Sequence, residues 1–179
     1  MAVHDLTDQI RQEKVAERYP RATLVLVGPV RVQADEDRAV LAALRAQPNV
    51  RFVGQVSVER VPQYMAACDV GLLPYKRNEW TRNIHPLKLY EYLACGLPVC
   101  STDIPAVREQ ADVVRIATSV EQFITDLAAS QSDDPNLSTV RQQRAAANTW
   151  QQRVERISAL IAQTRAAWTE KDGSHAIGK

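Results

Sequence analysis

Apolar residues in this chain gather in short runs bounded by turn residues, and between the runs they recur at helical spacing. Thr23 to Gly28, Val70 to Leu73 and Val113 to Ala117 are such runs, with shorter ones at Arg51 to Gly54 and Pro98 to Thr102. Continuous apolar runs of this length predict strands buried on both faces, as in a parallel sheet. Amphipathic spacing predicts helices at about residues 6–18, 35–46, 58–67, 86–95 and 119–130. Strand–helix alternation means an α/β fold, a Rossmann-like parallel sheet covered on both faces through right-handed crossovers. From Ser138 to about Lys171, spaced Val154, Ile157, Leu160 and Ile161 predict a long amphipathic helical region in one piece or two. The expected organisation is therefore a sheet domain over 1–130, a linker with C-terminal helices packing on it over 131–171, and a disordered tail over 172–179. Ser130 to Leu137 reads as the polar linker.

Composition changes this picture little. The length suffices for one substantial core, and the net charge of +1 gives no reason to invoke nucleic acid as a partner. No apolar run approaches the length of a transmembrane helix, and Met1 to Asp5 lacks a signal-peptide core. Cys68, Cys95 and Cys100 have no metal-type spacing and fall inside helix or strand patterns. They read as reduced, buried thiols of a cytoplasmic protein.

The chemistry concentrates between Asn83 and Thr102. Pro86 suits the first position of a helix, Gly96 suits a left-handed residue closing it, and Pro98 stops any continuation. The free N–H groups of that first turn, at Leu87 and Lys88, would attract an anion, and the Lys88 ammonium adds to them. Glu91 follows one turn later. Phosphate at the helix start and a carboxylate accepting bonds from a ribose diol would suit a nucleoside diphosphate. The same placement of Pro, Gly and Pro also serves any capped helix that precedes a parallel strand. Lys76, Arg77 and Arg82 form a basic rim beside it, or an ordinary solvated loop. Asp35-Glu-Asp37 opens a helix, where carboxylates complement the dipole, so no metal site is expected there. Tyr90, Tyr92, Trp150 and Arg153 read as packing residues, and the His85 ring as a polar N-cap.

The string Pro86-Leu-Lys-x-x-Glu-Tyr-Leu-Ala-x-Gly-x-Pro-Val99 closely resembles the donor-binding segment of GT-B-fold glycosyltransferases of the "glycosyl transferases group 1" class. Pro48-Asn-Val-Arg-Phe-Val-Gly54 and Val61 to Tyr75 resemble the two preceding units of the nucleotide-sugar domain, and Thr149 to Arg153 its closing helix. The resemblance implies transfer of a hexose-type sugar from a nucleoside-diphosphate sugar to an acceptor hydroxyl, in surface polysaccharide synthesis. No cofactor or metal is implied. It places Gly54 and Val56 against the nucleobase, Ile84, His85, Leu87 and Lys88 around phosphate, and Arg77 and Arg82 on the rim. Glu91 matches the second of two glutamates that many relatives carry. Asn83 stands where the first would fall, and its amide supplies no negative charge against an oxocarbenium ion.

The resemblance also marks a departure. In a doubly wound sheet the first strand lies in the middle, and the family's donor domain opens with such a strand, whereas Thr23 to Gly28 matches the second. The expectation is a donor-binding half, lacking that strand and the acceptor-binding domain, which would be supplied in cis or by a separate chain. Catalytic residues on the acceptor side are then expected outside this sequence. Expected partners are a nucleotide-sugar and a sugar or lipid-linked acceptor at the inner membrane face. The alternative is a non-catalytic nucleotide- or protein-binding fragment, or an accessory subunit of a split glycosyltransferase.

Overall fold

The structure is a computed structural model that describes residues 3–4, 9–32 and 35–175. The expectations for residues 6–8 and 176–179 lie outside the described residues. In chain order the elements are β1 (Val3–His4), α1 (Gln9–Arg18), β2 (Leu24–Val27), β3 (Val30–Arg31), α2 (Asp35–Ala46) and β4 (Val50–Gly54). A single 3-10 turn (Val58–Arg60) leads into α3 (Val61–Ala66), followed by β5 (Gly71–Leu73), α4 (Glu79–Arg82) and α5 (Leu87–Ala94). Then come β6 (Val99–Thr102), α6 (Pro105–Arg108), β7 (Val114–Ala117), α7 (Val120–Ser130), α8 (Asn136–Ala146) and α9 (Trp150–His175). The α/β architecture with parallel strands is as the apolar pattern predicts.

All described pairings are parallel, but the strands do not form one sheet. β2 pairs with β4 in one two-stranded sheet, and β5, β6 and β7 pair in that order in another. The short β1 joins β3 instead, Val3 opposite Val30, so it does not bridge the two halves. Every residue of β6 is buried, because it has a strand on either side and helices on both faces. Leu73, Leu89, Leu93, Val99 and Ile104 centre the largest core cluster, between β5, β6 and α5. Leu26 and Leu44 centre a second cluster under α2, and Cys100 and Phe123 a third under α7.

Helix α5 ends as the sequence predicts. Gly96 takes φ +72°, its N–H bonds Leu93 O at 2.9 Å, and the Leu97 N–H bonds Tyr92 O at 3.1 Å. That pair of bonds is the Schellman closure, and it needs a residue at ease in the left-handed region. The start differs from expectation. Pro86 is the N-cap, with φ −72° and ψ 110°, and Leu87 is the first helical residue. A cap needs extended ψ and not helical ψ, and proline's fixed φ serves either position.

The polar stretch between α7 and α8 is a structural node. The Asp133 carboxylate, 8% exposed, accepts from Arg115 of β7 at 2.5 Å and from Arg141 of α8. Arg141 is itself buried and donates its Nε–H to Val113 O at 3.1 Å. Beyond α8 most of the described side chains are exposed. Helix α9 continues to His175, through the first positions expected to be a tail, and leaves Val154, Ile157, Leu160 and Ile161 more than half exposed.

Candidate functional site

The carboxyl ends of β2 and β4 turn on two left-handed glycines, Gly28 at φ 129° and Gly54 at φ 78°. The Gly28 N–H donates to Gly54 O at 2.8 Å, so the two turns are held as one unit. Gly28, Gln55 and Val56 of these turns line a cavity of about 630 Å³, and Lys88 from the first turn of α5 joins them. Parallel α/β sheets present their ligand sites at this end, where the connecting loops converge.

Lys88 is half-buried and has no ion-pair partner among the described residues. The helix start beside it has no side-chain cap. The first-turn N–H groups and the ammonium together form a positive end on an eight-residue helix. This arrangement can bind an oxyanion. Glu91, one turn further on, is exposed, and its charge raises the pKa of Tyr75 and of Cys95, secondary in each to burial. It does not line the cavity.

The loop from Tyr75 to Pro86 is braced from within. Asn78 caps α4, accepting from the Thr81 N–H, while Thr81 Oγ1 donates to Lys76 O at 2.6 Å. Lys76 Nζ lies 2.5 Å from Asp37 Oδ2, across from α2. Lys76 is therefore committed to a carboxylate and is not a free member of a basic rim. Arg77 and Arg82 are exposed, and Arg82 lies 3.6 Å from Glu79. The Arg108 guanidinium, with a smaller contribution from Arg77, holds the Asp103 carboxyl below its usual range. Asn83 is the exposed C-cap of α4, and Ile84 packs on the largest core cluster.

His85 is not the N-cap, since Pro86 occupies that position. Its ring stacks on Tyr90 with centroids 5.4 Å apart, and its Nε2 lies 2.7 Å from an Arg153 amino group on α9. The Arg153 guanidinium in turn covers Tyr90 at 5.1 Å and Trp150 at 5.7 Å. Trp150 is 69% exposed, so it packs on neither the sheet nor the linker as expected. Sequence spacing cannot reveal the contact of Arg153 with His85, because 68 positions separate them.

Of the expected site residues, Val56 and Lys88 therefore meet at the cavity, and Gly54 shapes its mouth. Arg77, Arg82, Asn83, Ile84, His85, Leu87 and Glu91 lie outside its walls. Gln55, which stands between Gly54 and Val56 in the loop that the resemblance sets against the nucleobase, lines it too. Among the described residues no group of three or more His, Cys, Asp or Glu is placed to hold a metal. Asp35 lies 3.0 Å from Arg38 and Asp37 is paired with Lys76, so the Asp-x-Asp pair serves its own helix and the loop. No helix among the described residues is long and apolar enough to cross a membrane.

Residues 1–133 match the family described as Glycosyl transferases group 1. The chain belongs to that family. It is 36% identical over 94 residues to TuaH of Bacillus subtilis (strain 168), a "putative teichuronic acid biosynthesis glycosyltransferase", covering 52% of this chain and 23% of that protein. Among solved structures it resembles Anabaena Alr3699/HepE in complex with UDP, with a TM-score of 0.66 at 19% identity over 93% of this chain and 48% of the other. It also resembles WaaG, a glycosyltransferase involved in lipopolysaccharide biosynthesis, with a TM-score of 0.57 at 19% identity over 82% of this chain and 42% of that one. The chain thus spans about half or less of the length of these relatives.

Proposed function

We propose that this chain is the donor-binding half of a nucleotide-sugar-dependent glycosyltransferase that passes a hexose-type sugar to an acceptor hydroxyl in surface polysaccharide synthesis. The observation that carries the reading is Lys88, half-buried beside a helix start without a side-chain cap and opening on the same cavity as Gly28, Gln55 and Val56. The diphosphate would lie at the helix start, with Ile84, His85 and Leu87 around it and Arg77 and Arg82 at the rim. The nucleobase would lie against Gly54 and Val56. Glu91 would grip the ribose hydroxyls from the outer side of α5, with Asn83 hydrogen-bonding the sugar. As the glycosidic bond to the leaving diphosphate breaks, charge grows on its oxygens. Fixed N–H dipoles and Lys88 would stabilise that charge without reorganising, which is the largest contribution in many enzymes.

The acceptor site and the group that acts on the acceptor hydroxyl belong to a second domain or chain, at the cytoplasmic face of the membrane. Residues 1–179 then bind donor and turn nothing over on their own. UDP is the first ligand to try, because the HepE structure contains it. Thermal denaturation of this chain with UDP, GDP and ADP tests the reading, since a ligand that binds the folded state raises the midpoint. A rise with one nucleotide, absent in Lys88→Ala, supports it. No shift with any of the three, at millimolar concentration, overturns it.

A further inference from the structure

Trp150, Val154, Ile157, Leu160, Ile161 and Trp168 of α9 are each more than half exposed. Every side chain from Val154 to Arg165 is exposed, so no face of that stretch rests on the rest of the described chain. The start of the helix, by contrast, is fixed. Arg153 reaches His85 and covers Tyr90, and the Arg156 guanidinium donates to Ala147 O at 2.5 Å. Helices in folded proteins owe most of their stability to a packed face, and this one, 26 residues long, has none beyond its first turn.

The apolar positions follow a rule. Trp150, Val154, Ile157, Ile161, Thr164 and Trp168 succeed one another at steps of four, three, four, three and four. That is the a/d spacing of a two-helix seam, narrower than the face of a helix that packs on a globular core or sinks into lipid. Thr164 suits such a seam because its hydroxyl already donates to Leu160 O at 2.8 Å, so burying it leaves no unserved donor. The spacing is also a palindrome about Ala159. A two-fold axis there sets Trp150 opposite the partner's Trp168, Val154 opposite the partner's Thr164 and Ile157 opposite the partner's Ile161. On one flank Leu160 meets its own counterpart. On the other, Glu155 and the partner's Arg165 come within about 3 Å of each other along the axis, at about 1.5 Å per residue. A parallel pair would set Arg165 against Leu160 instead.

We infer that α9 is a self-association surface: two copies of this chain pair their α9 helices antiparallel about Ala159, each stripe covering the other from Trp150 to Trp168. The paired length is about 27 Å. The six exposed apolar side chains offer on the order of 700 Å² per copy, near the roughly 800 Å² per partner that a stable complex buries. A second copy fits better than an unrelated partner because the stripe complements itself in shape and in charge. The pairing is independent of what the cavity at Lys88 binds.

Sedimentation equilibrium of the 179-residue chain over a range of concentrations tests this. The chain should sediment as a reversible dimer. Ile161→Glu puts a charge in the seam twice, once from each copy, and should weaken the dimer about a hundredfold or more. Ala159→Glu adds the same charge on the outer face and should leave it unchanged. Both positions are exposed in the single chain, so neither variant threatens its fold. Glu155→Arg and Arg165→Glu should each weaken the dimer about threefold or more, and the double exchange should restore it. A parallel pair would not show that rescue. A chain that stays monomeric up to its solubility limit overturns the inference. So does a dimer that survives Ile161→Glu, or a charge exchange without rescue. A monomer that co-sediments with phosphatidylglycerol vesicles, and ceases to in Ile161→Glu, would assign the stripe to a lipid surface and overturn it as well.

Discussion

An Arg153 amino group lies 2.7 Å from His85 Nε2, tying the first turn of the last helix to the residue before the α5 cap. Arginine only donates, so Nε2 must accept and the ring is neutral, with its proton on Nδ1. Burial lowers the His85 pKa first, the Arg153 charge lowers it further, and Glu109 opposes both. The folded value therefore lies below the unfolded one of about 6.5. Stability from this group is complete above that unfolded value and is lost as pH falls through the folded one. NMR titration should place His85 below 6.5, and Arg153→Ala should move it up part of the way. An unchanged midpoint in Arg153→Ala would mean that the contact does not persist in solution.

Lys88 is the residue on which donor affinity should depend most. Lys88→Ala should weaken nucleotide diphosphate binding by about 1–3 kcal/mol, the scale of a charge-assisted hydrogen bond in a shielded site. Arg82→Ala should cost less, since Arg82 is exposed and already beside Glu79. Isothermal titration of both variants checks the order, and an equal loss would place the phosphate on the loop instead.

Asp133 should be the most costly polar residue to remove. Asp133→Ala leaves Arg141, whose side chain is 4% exposed, as a buried charge without its carboxylate. Breaking one side of a buried pair typically costs about 3–5 kcal/mol. Urea denaturation should show that loss, and a change under about 1 kcal/mol would mean that solvent reaches the node.

Gly96→Ala should destabilise the chain although it adds a single methyl group. Its φ of +72° disfavours any Cβ, and that atom would fall 2.2 Å from Ser138 Oγ on α8. The backbone penalty alone is about 1–2 kcal/mol. Ser138→Ala, made alone and together with Gly96→Ala, should relieve the hydroxyl contact but not the backbone part, since Ser138 Cβ lies at an ordinary 3.4 Å, and denaturation midpoints of the three variants would separate the two.

Much of this was legible along the chain. β6 and the end of α5 follow from Gly96, Pro98 and an uninterrupted apolar run, because these are local demands on φ, on an N–H or on burial of both faces. Lys88 was legible for the same reason: one cation near an exposed helix start needs no distant residue to be noticed. The Pro86 position was missed by one residue because φ near −70° suits both the cap and the first turn, and ψ is not written in the residue type.

Local order along the backbone was thus determined by the sequence: which runs extend, which coil, where each stops, and the family to which the string Pro86 to Val99 points. Pairing across space was decided only in three dimensions. Lys76 met Asp37, Arg153 met His85, and Asp133 gathered two arginines, none of which spacing could foretell. Such a pairing is a relation between two elements, and its free energy depends on what lies beside it, a quantity that no single stretch of residues carries.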